Sequence, residues 1–355
     1  MQFKRHPLSF YPPASKSTTA AIVVVILVFT IIAIAIYNKK PSEMKYARTL
    51  MGTVVEITLV GSDDARLNAA AEAAFDEIKR LEGLMSHYKD DSDIAKINRA
   101  AGKEAVTISK ETMDVIDASL KLSQITNGTF DITMGVLGKV WHFTKDDQGE
   151  MTVPSKTEVE KLLPLIDYRQ IIIDKKNNTA KLAKQGMRVN LGGIAKGYIT
   201  GKTVEILKKH GVKKGIVHAG GDMVVFQEAN DTPWLIGIQD PRDKDKIVGT
   251  IKAQNTAVST SGDYERFFIK DGARYHHIMD PSTGFPANKC RGVTITAKDP
   301  TFADALSTAV FVLGPEEGMK LIEELPDVEG LIIGADKTIT MSSGFKEIYT
   351  QGTTQ

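Results

Sequence analysis

Glu265 to Met279 read ERFFIKDGARYHHIM, two apolar-rich runs joined by Asp271 and Gly272. Asp-Gly favours a primed two-residue turn with positive φ at both central positions, so the stretch predicts a tight β-hairpin. A second hairpin is predicted where Arg169–Asp174 and Thr179–Leu182 flank Lys-Lys-Asn-Asn. Outward from these, Thr53–Val60 (TVVEITLV) reads as a strand and Ala65–Leu84 has Ala-rich helical spacing. Ser109–Thr126 reads as a further helix, stopped by Asn127 and Gly128. Hairpins mixed with helices, without regular strand–helix alternation, predict an α+β fold with a largely antiparallel sheet and packed helices.

The 355 residues are 42% hydrophobic and 25% charged, which suffices for a full core and excludes a disordered chain. The formal net charge is +1, and no basic stripe with interleaved aromatics points to nucleic acid. Cys290 is the single cysteine, so intramolecular disulfides and thiolate clusters are excluded, and it reads as structural.

Ala20–Tyr37 carries no charge over 18 residues, close to the length of a spanning helix. It reads as a transmembrane anchor between a 1–19 tail and a 38–45 linker, followed by one globular domain over 46–350. Basic residues lie on both sides, Lys4, Arg5 and Lys16 before and Lys39, Lys40, Lys45 and Arg48 after, so charge leaves the orientation open. A signal peptide with Ala33 and Ala35 as small residues is the alternative; the length and the interfacial Tyr37 with its lysines favour retention.

Three stretches carry candidate chemistry. In His277–Pro286 (HIMDPSTGFP) a histidine precedes a turn made by Asp280, Pro281 and Gly284; His277 is a candidate base, against the plainer reading of a satisfied buried histidine. In ADALSTAVFVLG, Asp304 and Thr308 are four apart on a predicted helix, and such hard oxygens on one face suit magnesium. The plainer reading there is a capping box from Thr301 to Asp304. In RVNLGGIAKG, Arg188–Gly197, a strand pattern passes through two glycines into a helix reaching His210, which suits a phosphate beside Lys196; a close packing turn is the alternative. The neighbouring Gly201-Lys202-Thr203 is not a P-loop, because its first glycine would fall on Lys196.

Taken in order, MGTVVEI at Met51, MSHYKDDSDI at Met85, GTFDITMGVL at Gly128, NLGGIAKGY at Asn190, HAGGDM at His218, STSGDYERFF at Ser259, HIMDPSTGFP at His277 and ADALSTAVFVLG at Ala303 resemble the ApbE family of FAD:protein FMN transferases, over about Tyr46–Tyr349. The resemblance implies an ApbE-like fold and a magnesium-dependent reaction in which FAD is cut at its pyrophosphate, AMP leaves, and FMN joins a threonine or serine hydroxyl of an acceptor. It implies His277 as base and Asp304, Thr308 and the Gly193 carbonyl as magnesium ligands. Flavin contacts are implied at Met51, Tyr88, Thr129, Phe130, Asp131, Asn190, Lys196 and Ile278. Implied partners are FAD and acceptor flavoproteins of membrane redox systems, with the catalytic domain outside the bacterial cytoplasmic membrane; a homodimer is allowed but has no sequence signal. The chain departs from the pattern in three places: Asn190 stands where many relatives carry Asp, Ser307 where some offer another carboxylate, and the lipoprotein cysteine is missing. Two other functions stay open: a magnesium-dependent FAD pyrophosphatase, and a tethered flavin-binding protein without catalysis.

Overall fold

A computed structural model of the protein describes residues 20–21, 24–28, 41–143 and 151–352. Most of the apolar 20–37 stretch lies outside the described residues, as does the 1–19 tail. The described part, Ala20, Ala21 and Val24 to Val28, is helical and exposed. Among the described residues no helix is long and apolar enough to cross a membrane.

The chain divides into two compact units, 1–42 and 43–355. The second is built on an eight-stranded sheet of β1 (Ser42–Leu50), β2 (Thr53–Gly61), β3 (Lys214–Ala219), β4 (Asp222–Phe226), β5 (Thr256–Gly262), β6 (Cys290–Ala297), β7 (Val328–Gly334) and β8 (Ile339–Met341), side by side in that order. From β2 to β8 every pairing is antiparallel. Ser42–Lys45 thus belong to the first strand, where the sequence reading had a linker.

The sheet is covered on both faces, because its central strands are apolar on both. Val224, Phe226, Ala257 and Ile332 pack into the main core, while their neighbours Val225, Val258, Leu331 and Ile333 join a second one. Over the first face lie α1 (Asp64–Met85), α2 (Lys110–Ile125), α3 (Ala195–Lys209) and α4 (Pro300–Leu313). Helix α1 buries one stripe, from Leu67 through Ala70, Ala74, Ile78 and Leu81 to Met85, at the spacing expected of an amphipathic helix. Helix α4 is buried almost all round, packed between β5, β6, α2 and α3. Over the second face lies a three-stranded sheet of Trp234–Asp240, Asp243–Ala253 and Tyr349–Gln351.

Both predicted hairpins are present. Ile171–Asp174 pairs antiparallel with Thr179–Leu182. Phe267–Lys270 pairs with Ala273–His276, and Asp271 (φ 51°) and Gly272 (φ 76°) make the primed turn. The strand expected before the double glycine does not form. Arg188 makes an isolated bridge with Met134, and the Asn98 side chain holds Val189 from both sides, accepting from its amide at 2.7 Å and donating to its carbonyl at 3.0 Å. A side-chain clamp there replaces a strand ladder.

Helices α3 and α4 cross at Gly197, and the crossing leaves no room for a side chain. A Cβ at that position would lie 2.1 Å from the Pro300 carbonyl oxygen and 2.7 Å from Asp304 Cβ. Because one obstacle is backbone, Gly197→Ala is expected to lower stability by about 2–3 kcal/mol. Gly83→Ala, in α1 with nothing within 4 Å of its new methyl, is expected to raise it by about 0.5–1 kcal/mol. Urea unfolding midpoints of the two variants check both signs.

Candidate functional site

One end of the sheet gathers the turns that frame the site. The β1–β2 turn is Met51-Gly52, both with positive φ (54° and 68°). The β3–β4 turn is Gly220-Gly221, where a Cβ on Gly221 would strike the Thr260 carbonyl at 2.2 Å. Strand β5 brings Ser261 to the same end, and α3 and α4 deliver Lys196, Asp304 and Thr308 beside it.

Two buried carboxylates and a half-buried ammonium form the centre. Lys196 Nζ donates to Asp222 Oδ2 at short range and lies 3.6 Å from Asp304 Oδ1. Asp304 Oδ2 accepts from the Gly197 amide at 2.8 Å. The capping-box alternative for Asp304 is therefore set aside: Asp299 caps α4, accepting from Thr301 at 2.8 Å, with Pro300 in the first turn. The helix-start amide that suited a phosphate is occupied by this carboxylate.

Desolvation alone would lower the Lys196 ammonium, but Asp222 and Asp304 more than offset it and hold its pKa above an ordinary lysine's. Burial, then the Asp222 charge, pushes Asp304 up to about 7. Two buried carboxylates against one ammonium leave an excess negative charge, so the donor chemistry favours a hard cation here.

The other predicted ligands adjoin Asp304. A Cβ on Gly193 would lie 3.4 Å from the Phe130 ring and 3.6 Å from Thr308 Oγ1, which brings Gly193, Phe130 and Thr308 together. Ser261 Oγ lies 3.2 Å from Thr308 Oγ1 and 2.8 Å from Ser307 Oγ, and Ser307 also donates to the Asp304 carbonyl at 2.8 Å. Ser307 is thus engaged in holding the turn of α4 that carries Asp304. Among the described residues no group of three His, Cys, Asp or Glu forms a metal cluster. The predicted set holds only one carboxylate, with a hydroxyl and a carbonyl.

The remaining flavin candidates divide into shaping and facing residues. Asp131 is buried and takes the Thr133 amide, the Thr133 hydroxyl and the Tyr168 amide. Burial raises its pKa, against those three bonds. It therefore braces the loop that carries Thr129 and Phe130 from the end of α2. Asn190 braces the double-glycine turn, its Oδ1 accepting from the Gly192 amide at 2.9 Å. Ile278, the residue after His277, is buried. Tyr88 projects from the loop after α1, 60% exposed and tilted against His87 with ring centroids 3.9 Å apart, outside the contacts just described.

The two adjacent histidines have different roles. His276 is the satisfied core histidine: its Nε2 lies 2.7 Å from the Ala287 carbonyl, its Nδ1 accepts from the Ile278 amide, and its ring meets Phe311 edge-on. His277 faces solvent. Its amide donates to the Arg266 carbonyl at 3.1 Å and its Nδ1 lies 3.3 Å from the same oxygen. Because a carbonyl only accepts, Nδ1 carries the proton and Nε2 keeps the lone pair. Partial desolvation, then the charges of Arg266, His276 and Lys196, hold the ring below the ordinary histidine range, while its open side lets water screen part of the effect.

Sequence reasoning passed over Asp222, Ser261 and Arg266 as site residues. Each lies inside a quoted motif, HAGGDM or STSGDYERFF, which was the available signal.

A sequence model described as the ApbE family matches residues 51–332. An FAD:protein FMN transferase of Treponema pallidum is 33% identical over 85% of this chain and 87% of its own length. One from Klebsiella pneumoniae is 31% identical over 84% and 91%. Among solved structures, the ApbE protein of Thermotoga maritima superposes with a TM-score of 0.80 at 35% identity, over 87% of this chain and all of its own. The flavin transferase ApbE of Vibrio cholerae superposes with a TM-score of 0.77 at 27% identity.

The folded His277 pKa lies below the unfolded value of about 6.5, so its contribution to stability is present above that value and is lost as pH falls below it. NMR of the ring nitrogens is expected to show His277 as the neutral Nδ1–H tautomer from pH 8 down to about pH 5.5, where a free histidine is mostly protonated. A midpoint at or above 6.5 would contradict the assignment.

Proposed function

The chain belongs to the ApbE family, and from that membership we propose that it is an FAD:protein FMN transferase. The observation that carries the reading is the meeting of Gly193, Thr308 and the Lys196–Asp222–Asp304 charges at one sheet end, with an oriented neutral histidine within electrostatic reach. The acceptor is a threonine or serine hydroxyl of a flavoprotein. Its oxygen forms a new bond to the FMN phosphorus, the bond from that phosphorus to the bridging oxygen breaks, and AMP leaves. His277 Nε2 is the lone pair that takes the hydroxyl proton. A neutral imidazole needs no prior deprotonation at physiological pH, which suits this step.

Asp304, Thr308 and the Gly193 carbonyl would hold magnesium, and the excess negative charge beside Asp304 fits such an ion. When bound, it neutralises phosphate charge as the leaving group departs. The chain's own part is positional. Lys196 keeps Asp222 and Asp304 close together, Ser261 orients the Thr308 hydroxyl, and Asn190 and Asp131 shape the loops against which a flat ring system packs beside Phe130. The uncharged 20–37 stretch supports a membrane anchor; a catalytic unit outside the bacterial cytoplasmic membrane, acting on flavoproteins of membrane redox systems, rests on the family resemblance.

The test is mass spectrometry of an acceptor domain after incubation with the protein, FAD and magnesium, with AMP and free FMN measured alongside. The expected outcome is an acceptor heavier by one FMN and an equal amount of AMP. AMP with free FMN despite excess acceptor would instead identify a pyrophosphatase, with water at His277; bound FAD left intact would identify a carrier. His277→Ala is expected to slow transfer by about 10²–10⁴-fold, the usual contribution of a general base. Asp304→Asn is expected to abolish the magnesium response.

A further inference from the structure

Arg266 opens the hairpin that carries His277, and its guanidinium is held differently from those of its neighbours. Arg242 forms a two-pronged ion pair with Asp263 at 2.6 Å for each bond. Arg274 donates to the Asp263 carbonyl and stacks over the Phe267 ring at 3.8 Å. The Arg266 guanidinium has, among the described residues, no carboxylate partner; its hydrogen bond is a long one, 3.4 Å from Nη2 to the Gly52 carbonyl. A Cβ on Gly52 would lie 3.3 Å from that nitrogen, so the cation rests directly on the Met51-Gly52 turn. Its own carbonyl holds His277 through the amide at 3.1 Å and Nδ1 at 3.3 Å, so the cation and the candidate base belong to one small piece of structure beside that turn.

This arrangement leaves a loosely held cation where a diphosphate would need one. The Lys196 charge is already engaged by two carboxylates, and His277 is neutral. A dinucleotide diphosphate brings two negative charges, and a guanidinium's planar fork matches phosphoryl oxygens in a way an ammonium does not. We propose that Arg266 is a catalytic residue that binds a non-bridging oxygen of the FAD diphosphate. The inference rests on the transferase reading above. Because the Arg266 carbonyl also fixes the His277 tautomer, one residue couples the position of the phosphate to that of the base.

The experiment uses the full chain with magnesium, comparing wild type, Arg266→Met and Arg266→Lys. Equilibrium binding is measured for FAD and for riboflavin, which shares the ring and ribityl chain but lacks phosphate, together with single-turnover transfer. Loss of a cation aimed at developing phosphate charge is expected to slow transfer in Arg266→Met by about 100-fold and weaken FAD by about tenfold, with riboflavin unchanged within about twofold. Arg266→Lys is expected to recover part of both. If FAD and riboflavin weaken together, Arg266 merely props the Met51-Gly52 turn and the proposal fails; unchanged FAD binding and transfer would also sink it. A wild type that binds FAD but transfers nothing would count against the transferase reading alone, since the contrast between FAD and riboflavin still decides whether Arg266 meets phosphate.

Discussion

The site depends on one ammonium shared by two buried carboxylates. Asp222 and Asp304 are 2% and 3% exposed, and a charge so far from water survives only with close partners. Lys196 supplies one, and the Gly197 amide supplies another to Asp304. Since Lys196 and Gly197 lie in the first turn of α3, Asp222 opens β4 and Asp304 lies in α4, this cluster joins two helices to the sheet at a single point. The absent side chain at Gly197 is what lets the helices come close enough for the bonds to form.

The same cluster explains why the surroundings are polar in an otherwise apolar layer. Helix α4 is apolar nearly all round, yet Asp304, Ser307 and Thr308 interrupt it on the side facing α3 and Ser261. Ser307 and Ser261 satisfy one another and leave the Thr308 hydroxyl oriented. The excess negative charge is tolerable in a buried site only if a proton or a cation compensates it, and burial beside Asp222 raises the Asp304 pKa accordingly. Charge compensation and helix packing therefore meet in the same few residues.

Around this centre the paired histidines divide the work by environment. His276 has its ring nitrogens engaged within the core and keeps the hairpin seated against Phe311. His277, one residue on, points the other way, as neighbours in an extended segment do, and keeps one nitrogen free. The Trp141 indole donates to the Gly284 carbonyl at 3.0 Å, tying the turn after His277 to a separate aromatic cluster. His277 thus stands on a supported hairpin rather than a loose loop.

Local chemistry made much of this legible in the sequence. Asp271-Gly272 dictates a primed turn, Asn127 and Gly128 stop a helix, and the four-residue spacing of Asp304 and Thr308 sets both on one helix face, because turn angles and helical period are properties of adjacent residues. The order of the eight motifs, by resemblance, pointed to the family. Other features had no local signature. The Arg188–Asn190 segment looked like a strand because its composition is strand-like, whereas Asn98, far away in the chain, takes the hydrogen bonds a ladder would have made. Asp299 rather than Thr301 caps α4, which freed Asp304 to reach Gly197. Asp222, Ser261 and Arg266 acquire their roles only when the sheet sets its turns side by side at one end. Charge pairing, burial and the orientation of the His277 lone pair are relations across the fold, and only the tertiary structure could decide them.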